Sequence, residues 1–116
     1  MGMIREIKAY VRSDCVSDVL RALRRVGGSR FYLSHVHAVG AGIDPDELRI
    51  SLEEGSSYME KVKLEILCEA EQAEALVEAI RDTACTGHRG DGVVVVGTVE
   101  ETVNIRTGDR DDLALL

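Results

Sequence analysis

Residues 3–28, MIREIKAYVRSDCVSDVLRALRRVGG, join an alternating segment to a helical one and so decide the fold of this chain. The first nine of these residues alternate between apolar and polar side chains, which is the period of a half-buried strand. The apolar residues that follow recur at helical spacing: Val16, Val19, Leu20, Leu23 and Val26. Ser13 and Asp14 offer capping side chains, and Gly27 with Gly28 provides a stop. The stretch therefore predicts a strand that leads into a helix.

The same order returns in the second half of the chain. Residues 60–68 alternate as a strand, and apolar residues at helical spacing predict a helix over 71–83. Further strands are predicted at 31–39 and 92–99, the latter with four consecutive valines that indicate burial on both faces. Strand, helix, strand occurring twice predicts an α+β, ferredoxin-like (βαβ)2 domain over 1–116. We also expect a short strand at 102–105 and a flexible tail at about 109–116.

Composition limits the class of protein. The net charge is -7 and the sequence pI is near 4.9, which argues against nucleic-acid binding and anionic lipid. No apolar stretch is long enough to span a bilayer and no signal sequence opens the chain, so we expect a cytoplasmic protein. Cys15, Cys68 and Cys85 are odd in number and widely spaced, which predicts free, structural thiols. Aromatic residues make up only 3% of the chain, so subunit association is the simplest cover for the second face of the sheet.

A long acidic segment interrupts the repeat. Residues 40–59, GAGIDPDELRISLEEGSSYM, show neither a helical nor a strand period. Loops of this length in compact domains are usually functional or disordered. The segment is either a solvated mobile loop or a docking element for a partner. The residues that would contact a partner are Asp46, Glu47, Leu48, Arg49, Glu53 and Glu54.

A glycine-rich segment, TGHRGDG at 86–92, stands between the second predicted helix and the valine strand. Three glycines in seven residues let a backbone approach a ligand closely and aim N–H groups at phosphate oxygens. His88 and Arg89 can add positive charge. The alternative is an ordinary connection whose glycines only satisfy tight dihedral angles. Arg106 is a second phosphate candidate and equally a possible solvated surface charge.

The residues bear on two other classes of function, metal binding and catalysis. His35 and His37 share one face of a strand, which would supply half of a metal site with acids of the long loop. The sequence offers no obvious third ligand. It also shows no pairing of a nucleophile with a base, so we predict that the protein is not an enzyme.

The segment TGHRGDG followed by VVVVGTVEETVNIRTGDR, together with IKAYVR near the start and EKVKLEI after the long loop, resembles the PII nitrogen regulatory proteins. The resemblance runs the length of the chain and implies a compact homotrimer with adenine nucleotide in clefts between subunits. It also implies that the long "T-loop" docks on a membrane transporter or a metabolic enzyme. Carried over by position, the nucleotide-binding residues are Gly40, Lys61, Glu65, Leu67, His88, Arg89, Gly90, Asp91, Gly92 and Arg106.

The departures from the family pattern matter as much. Val93 stands where typical members have a phosphate-binding Lys, and Asn104 replaces a second phosphate Arg. Ala41 and Gly42 replace the Arg and Gln of the loop entry, which puts 2-oxoglutarate sensing in doubt, and Glu54 stands at the position of the Tyr that some members uridylylate. Losing two cations weakens ATP most, so we expect ADP or AMP to bind at least as well as ATP, with bicarbonate as a candidate second effector. The alternative is a nitrogen regulator that senses ATP, ADP and 2-oxoglutarate and controls ammonium transport or glutamine synthetase.

Overall fold

The structure, a computed structural model, describes residues 3–40, 49–51 and 56–115; for 49–51, 56–58, 112 and 113 it describes the backbone alone. The elements in chain order are strand β1 (Ile4–Arg12), helix α1 (Val16–Arg25), β2 (Tyr32–Ala38), β3 (Arg49–Ser51), β4 (Ser56–Glu69), α2 (Ala70–Ala84) and β5 (Gly92–Val99). Short 3-10 helices cover Ser13–Cys15 and Asp111–Leu115. In the described ranges, no helix combines the length and the apolar character needed to cross a membrane.

The main sheet has the strand order β2-β4-β1-β5, and every pairing in it is antiparallel. The short β3 pairs with the start of β4. Because the sheet orders its four long strands as second, third, first and fourth along the chain, and carries two helices, the ferredoxin-like prediction is confirmed.

The core lies between one face of the sheet and the two helices. Alternate residues of β1 and β4 point to this face, and the apolar stripes of α1 and α2 close over them. The buried cluster consists of Ile7, Ala9, Val11, Val19, Leu23, Leu64, Ile66, Cys68, Leu76, Ile80 and Ala84. The opposite face of the sheet, called the open face below, carries the other half of each strand's side chains.

The valine strand differs from its prediction. Val93, Val95 and Val96 are 57%, 47% and 47% exposed, so β5 is not buried on both faces within one chain. The reason is its position: β5 lies at an edge of the sheet, where the helices give only partial cover. A second molecule would be needed to bury this strand on both faces. The run of valines looks the same in the sequence whether the strand is buried within the chain or between two chains.

Helix starts and the loop boundaries also differ from the sequence reading. Neither Ser13 nor Asp14 caps α1; a 3-10 turn leads into it and no side chain bonds the open N–H groups. In contrast, Glu69 and Gln72 form a reciprocal capping box at the start of α2. β3 and the first residues of β4 lie inside the range predicted as loop 40–59, because a strand that pairs locally needs no long alternating pattern.

The C-terminal segment contains more regular structure than its sequence indicates. No strand forms at 102–105; a single bridge pairs Val103 with Arg110. The 3-10 helix Asp111–Leu115 buries Ala114 to 5% exposure, because it packs against β4. The flexibility predicted for 109–116 stays a prediction.

The cysteines differ in their surroundings. Cys68 is buried, Cys15 is half-buried and Cys85 is exposed, and all three are free thiols. Burial raises the pKa of Cys15 and of Cys68, so both thiols stay protonated near neutral pH.

Candidate functional site

The connection between α2 and β5, residues 85–91, is folded around the carboxylate of Asp91. One oxygen, Oδ2, accepts hydrogen bonds from the backbone N–H groups of Thr86 at 2.8 Å and Gly87 at 3.0 Å. The other, Oδ1, accepts one from the Thr86 hydroxyl at 2.5 Å. A side chain that bonds backbone groups four and five residues earlier fixes the loop from within. We call residues 86–92 the glycine loop.

These contacts keep Asp91 ionised. The hydrogen bond from the Thr86 hydroxyl, followed by those from the two backbone N–H groups and from Arg12, holds the pKa of Asp91 well below its usual range. Each of these donors bonds more strongly to the charged carboxylate than to a neutral carboxyl, so together they stabilise the ionised form. The loop therefore carries a fixed negative charge at any physiological pH.

Two cationic side chains of the sheet, Arg12 and Lys61, donate hydrogen bonds to the glycine loop. Arg12 donates from Nη2 to the Arg89 carbonyl at 2.6 Å and from Nε to Asp91 Oδ1 at 3.3 Å. Lys61 donates from Nζ to the Gly90 carbonyl. Arg12 and Lys61 face each other across β1 and β4 and are only 6% and 5% exposed. Both side chains therefore contribute to holding the loop backbone in one shape.

The end of the loop can accommodate nothing larger than glycine. Gly90 and Gly92 have φ angles of 94° and 108°, which side chains of L-residues rarely tolerate. A Cβ at Gly92 would lie 1.7 Å from the backbone oxygen of Tyr10 on the neighbouring strand. β5 therefore approaches β1 too closely at this point for any side chain to fit.

A cavity of about 590 Å³ opens beside the glycine loop. It is lined by Tyr10, Val36, His37, Ala38, Val39, Lys61, His88, Gly90, Asp91, Gly92 and Val93. We call it the loop cavity. Its walls come from β1, β2, β4 and β5, and Val93 presents an apolar surface at the position where the resemblance implies a Lys.

A second group of predicted residues lies elsewhere, on a protruding hairpin at 102–111. Thr102 and Asp111 are joined by two hydrogen bonds of 2.9 and 3.0 Å, and the Val103–Arg110 bridge follows. The hairpin presents Ile105, which is fully exposed, and Arg106, which is also exposed. A shallow cavity of about 330 Å³ lies at its base, lined in part by Arg30, Tyr32, Leu67 and Arg106.

Asn104 shapes the tip of this hairpin. Its Oδ1 accepts hydrogen bonds from the N–H groups of Arg106 at 3.0 Å and Thr107 at 3.1 Å. Its Nδ2 donates to the Ala114 carbonyl at 3.1 Å, which ties the tip to the C-terminal 3-10 helix. Asn104, at the position where the resemblance to the PII proteins implies a phosphate-binding Arg, thus has a clear structural use in this chain.

The residues predicted for nucleotide binding thus fall into separate places within one chain. Around the loop cavity lie Lys61, His88, Gly90, Asp91 and Gly92, with Arg89 next to them in the loop and Gly40 one residue beyond Val39. Leu67 and Arg106 meet at the second cavity, and Glu65 pairs with Lys63 at 3.3 Å outside both.

The remaining predictions concern the long loop and metal binding. Asp46, Glu47, Leu48, Glu53 and Glu54 lie outside the described residues, as do Ala41 and Gly42, and only the backbone of Arg49 is described, in β3. Over the described part of the chain, His35 and His37 find no third metal-ligating side chain.

Sequence reasoning missed Arg12. It ends β1 and looks like an ordinary solvated charge in sequence; its use follows from the strand register that sets it beside Lys61 and under Asp91. An arginine placed at the end of an alternating strand, on the side opposite the core, is the only signal that the sequence offers for it.

Comparison with known proteins gives one consistent result. The family model described as nitrogen regulatory protein P-II matches residues 4–109. A curated nitrogen regulatory protein P-II of Rhizobium meliloti is 35% identical over 106 residues, covering 91% of this chain and 95% of that protein. Nitrogen regulatory protein P-II 1 of Methanothermobacter thermautotrophicus is 35% identical over 110 residues, covering 95% and 96%.

Solved structures agree in fold. The Bacillus subtilis GlnK–ATP complex superposes with a TM-score of 0.79 at 24% identity, covering 98% of this chain and 99% of that one. Arabidopsis thaliana PII bound to citrate superposes with a TM-score of 0.77 at 28% identity, covering 97% and 92%.

Proposed function

This chain belongs to the nitrogen regulatory protein P-II family of signal-transduction proteins, and on that basis we propose that it binds an adenine nucleotide in clefts between the subunits of a homotrimer. The observation that carries the proposal is the glycine loop, which is built around Asp91, Arg12 and Lys61 and forms one wall of an open cavity. Family membership identifies the chain as a regulator, and we propose further that it acts in the cytoplasm and catalyses no reaction.

Subunit association would complete the site. Within one chain, Arg106 and Leu67 lie at a cavity separate from the loop cavity. The exposed hairpin that carries Arg106 can reach a neighbouring molecule, and the exposed valines of β5 gain from being covered. Both features support an arrangement in which the loop cavity of one subunit meets the hairpin of the next.

The phosphate end of the cleft favours short phosphate chains. Val93 lines the loop cavity without charge, and Asn104 is engaged in holding the hairpin tip. Lys61 donates a hydrogen bond to the Gly90 carbonyl, so its ammonium group is shared between the glycine loop and a bound phosphate. Because each charge-assisted hydrogen bond contributes about 1.5–3 kcal/mol, ATP loses more than ADP or AMP does. We therefore propose that ADP or AMP binds at least as tightly as ATP.

Restoring a cation at position 93 should reverse this preference. Val93 is 57% exposed on the cavity wall, so Val93→Lys can extend its ammonium towards a phosphate without displacing core side chains. We expect ATP affinity to rise about tenfold, with AMP affinity changed by less than about threefold, since one added charge-assisted contact is worth about 1.5 kcal/mol at this exposure. Titration calorimetry of wild type and variant with ATP, ADP and AMP measures both effects.

Thr98→Lys is the matched control, because it adds the same charge at the exposed far end of β5, away from the loop cavity. Equal gains in ATP affinity for the two variants would indicate a general effect of net charge. Tightest binding of ATP by the wild type would overturn the proposed preference. Binding of 2-oxoglutarate together with Mg-ATP would favour a nitrogen regulator of the usual kind instead.

For the output, we propose that the acidic segment 40–59 docks on a membrane transporter or a metabolic enzyme, with bicarbonate as the second effector. The segment begins at Gly40, next to Val39 on the wall of the loop cavity, so a ligand there can influence its first residues. We expect ADP with bicarbonate to slow protease cleavage within 40–59 more than ADP with chloride does. Identical cleavage rates under the two conditions would exclude bicarbonate as the effector.

A further inference from the structure

The shallow cavity of about 330 Å³ at the base of hairpin 102–111, called the hairpin cavity below, is lined by positive charge. The chain as a whole has a net charge of -7. The described residues that line this cavity nevertheless include two arginines, Arg30 and Arg106, and neither Asp nor Glu. Tyr32, Leu67 and Ile105 add apolar surface. Guanidinium groups beside apolar walls suit an anionic ligand that also has an apolar or planar part.

The connection from α1 to β2 fixes where Arg30 points. The N–H of Gly28 donates to the Leu23 carbonyl at 2.8 Å, and a Cβ at Gly28 would lie 3.0 Å from that oxygen, so the turn is tight. Phe31 then packs against the core cluster. Because successive side chains alternate as the chain enters β2, Arg30 and Tyr32 point to the open face, where both line the hairpin cavity.

Arg106 reaches the same cavity from the hairpin. Its N–H donates to Oδ1 of Asn104, which fixes the backbone beside it. Asn104 supplies no charge, and its amide is bonded within the hairpin and to the Ala114 carbonyl. Arg30 is therefore the second cation that lines this cavity, and it comes from a different element of the fold.

Building on the proposed function, we propose that Arg30 binds the phosphate chain of the nucleotide together with Arg106, and so replaces the cation that is absent at position 104. In the proposed trimer, the hairpin of one subunit meets the loop cavity of the next, so both arginines act on a nucleotide held by the neighbouring subunit. A guanidinium binds phosphate through two parallel N–H···O bonds, and two guanidiniums can share one phosphate chain. Tyr32 and Ile105, 60% and fully exposed in one chain, are covered in this arrangement and exclude water from the contact.

The experiment measures the affinity for ADP and for adenosine by titration calorimetry, and the oligomeric state by sedimentation, for the wild type and for Arg30→Gln. We expect ADP affinity to fall about tenfold, because one charge-assisted contact to phosphate is lost. Adenosine has no phosphate, so its affinity should change by less than about twofold, and the oligomeric state should stay the same. Arg30→Lys keeps the charge but not the forked geometry, and should recover only part of the loss.

Arg25→Gln is the matched control, because it removes the same charge at the exposed end of α1, outside the hairpin cavity. Its ADP affinity should stay within about twofold of the wild type. The inference would be wrong, and the nucleotide site would stand, if Arg30→Gln bound ADP as tightly as the wild type or if Arg25→Gln lost as much affinity. A loss in Arg30→Gln that came with a changed oligomeric state would also overturn it, since Arg30 would then act on subunit association. Absence of binding by AMP, ADP and ATP to the wild type would instead overturn the proposed function.

Discussion

Gly92→Ala should lower the free energy of unfolding by about 3 kcal/mol or more, the largest effect we expect from one methyl group in this chain. The added Cβ would lie 1.7 Å from the Tyr10 backbone oxygen, and the φ angle of 108° is unfavourable for any L-residue. Backbone atoms cannot move aside as a flexible side chain would, so β5 must separate from β1. Thermal unfolding at fixed protein concentration should show a loss of roughly 10 °C.

Two other glycines separate the causes of this effect. Gly97→Ala lies on the same strand, outside the left-handed region, and its Cβ would meet none of the described atoms within 4 Å, so we expect little change. Gly87→Ala has a φ of 86° but equally open surroundings, and should show the cost of backbone strain alone, about 1 kcal/mol. If Gly92→Ala were as stable as Gly97→Ala, the close contact between β5 and β1 would be wrong.

Asp91→Asn should remove the centre of the glycine loop. The neutral amide has no negative charge to strengthen the hydrogen bonds from Thr86, Gly87 and Arg12. Its NH2 group also replaces one accepting oxygen and faces N–H or O–H donors. We expect a loss of about 2 kcal/mol in the free energy of unfolding near pH 7, with a parallel loss of nucleotide affinity. Denaturant unfolding measures the first effect and calorimetry the second.

The pH dependence of this difference has a definite sign. The pKa of Asp91 is lowered in the folded protein, so its contribution is complete above the unfolded value of about 3.9 and is lost as pH falls towards the folded value. Wild type and variant should therefore differ by a constant amount above about pH 5 and converge at lower pH. Asp18→Asn, at an exposed ion pair with Arg21, is the control and should change stability by less than about 0.5 kcal/mol. A constant difference down to pH 2 would contradict the role given to the Asp91 charge.

Much of the fold was predictable because each signal is local. The alternation around Ile7 and Leu64 and the helical spacing from Val16 are properties of neighbouring residues, and the observed β1, β4 and α1 follow them. The errors arose where structure depends on distant partners. The valines of β5 favour a strand whether or not anything covers them, so their burial could not be predicted. The bridge and the 3-10 helix near the C-terminus form by packing that no local sequence period encodes.

The candidate site likewise contains some residues that the sequence could indicate and others that only the fold brings together. The glycine loop was predictable because Gly90 and Gly92 are needed for backbone geometry, and that need is visible in the residue type itself. Arg12 was not, since nothing in the order of residues brings it to the Arg89 carbonyl 77 positions later. The alternative uses of Asn104 were likewise hidden, because its bonds to Arg106 and Ala114 depend on how the hairpin folds back.

By itself the sequence determined that strands and helices alternate, that the loop after α2 needs glycine, and that the chain resembles the PII proteins, since these depend on residue types and their spacing. The tertiary structure alone decided which charges meet. The antiparallel register of β1 against β4 places Arg12 beside Lys61, and the return of β5 beside Tyr10 brings Asp91 above them. Pairing distant strands is a property of the whole sheet, so the contacts that build the loop cavity follow from the folded chain.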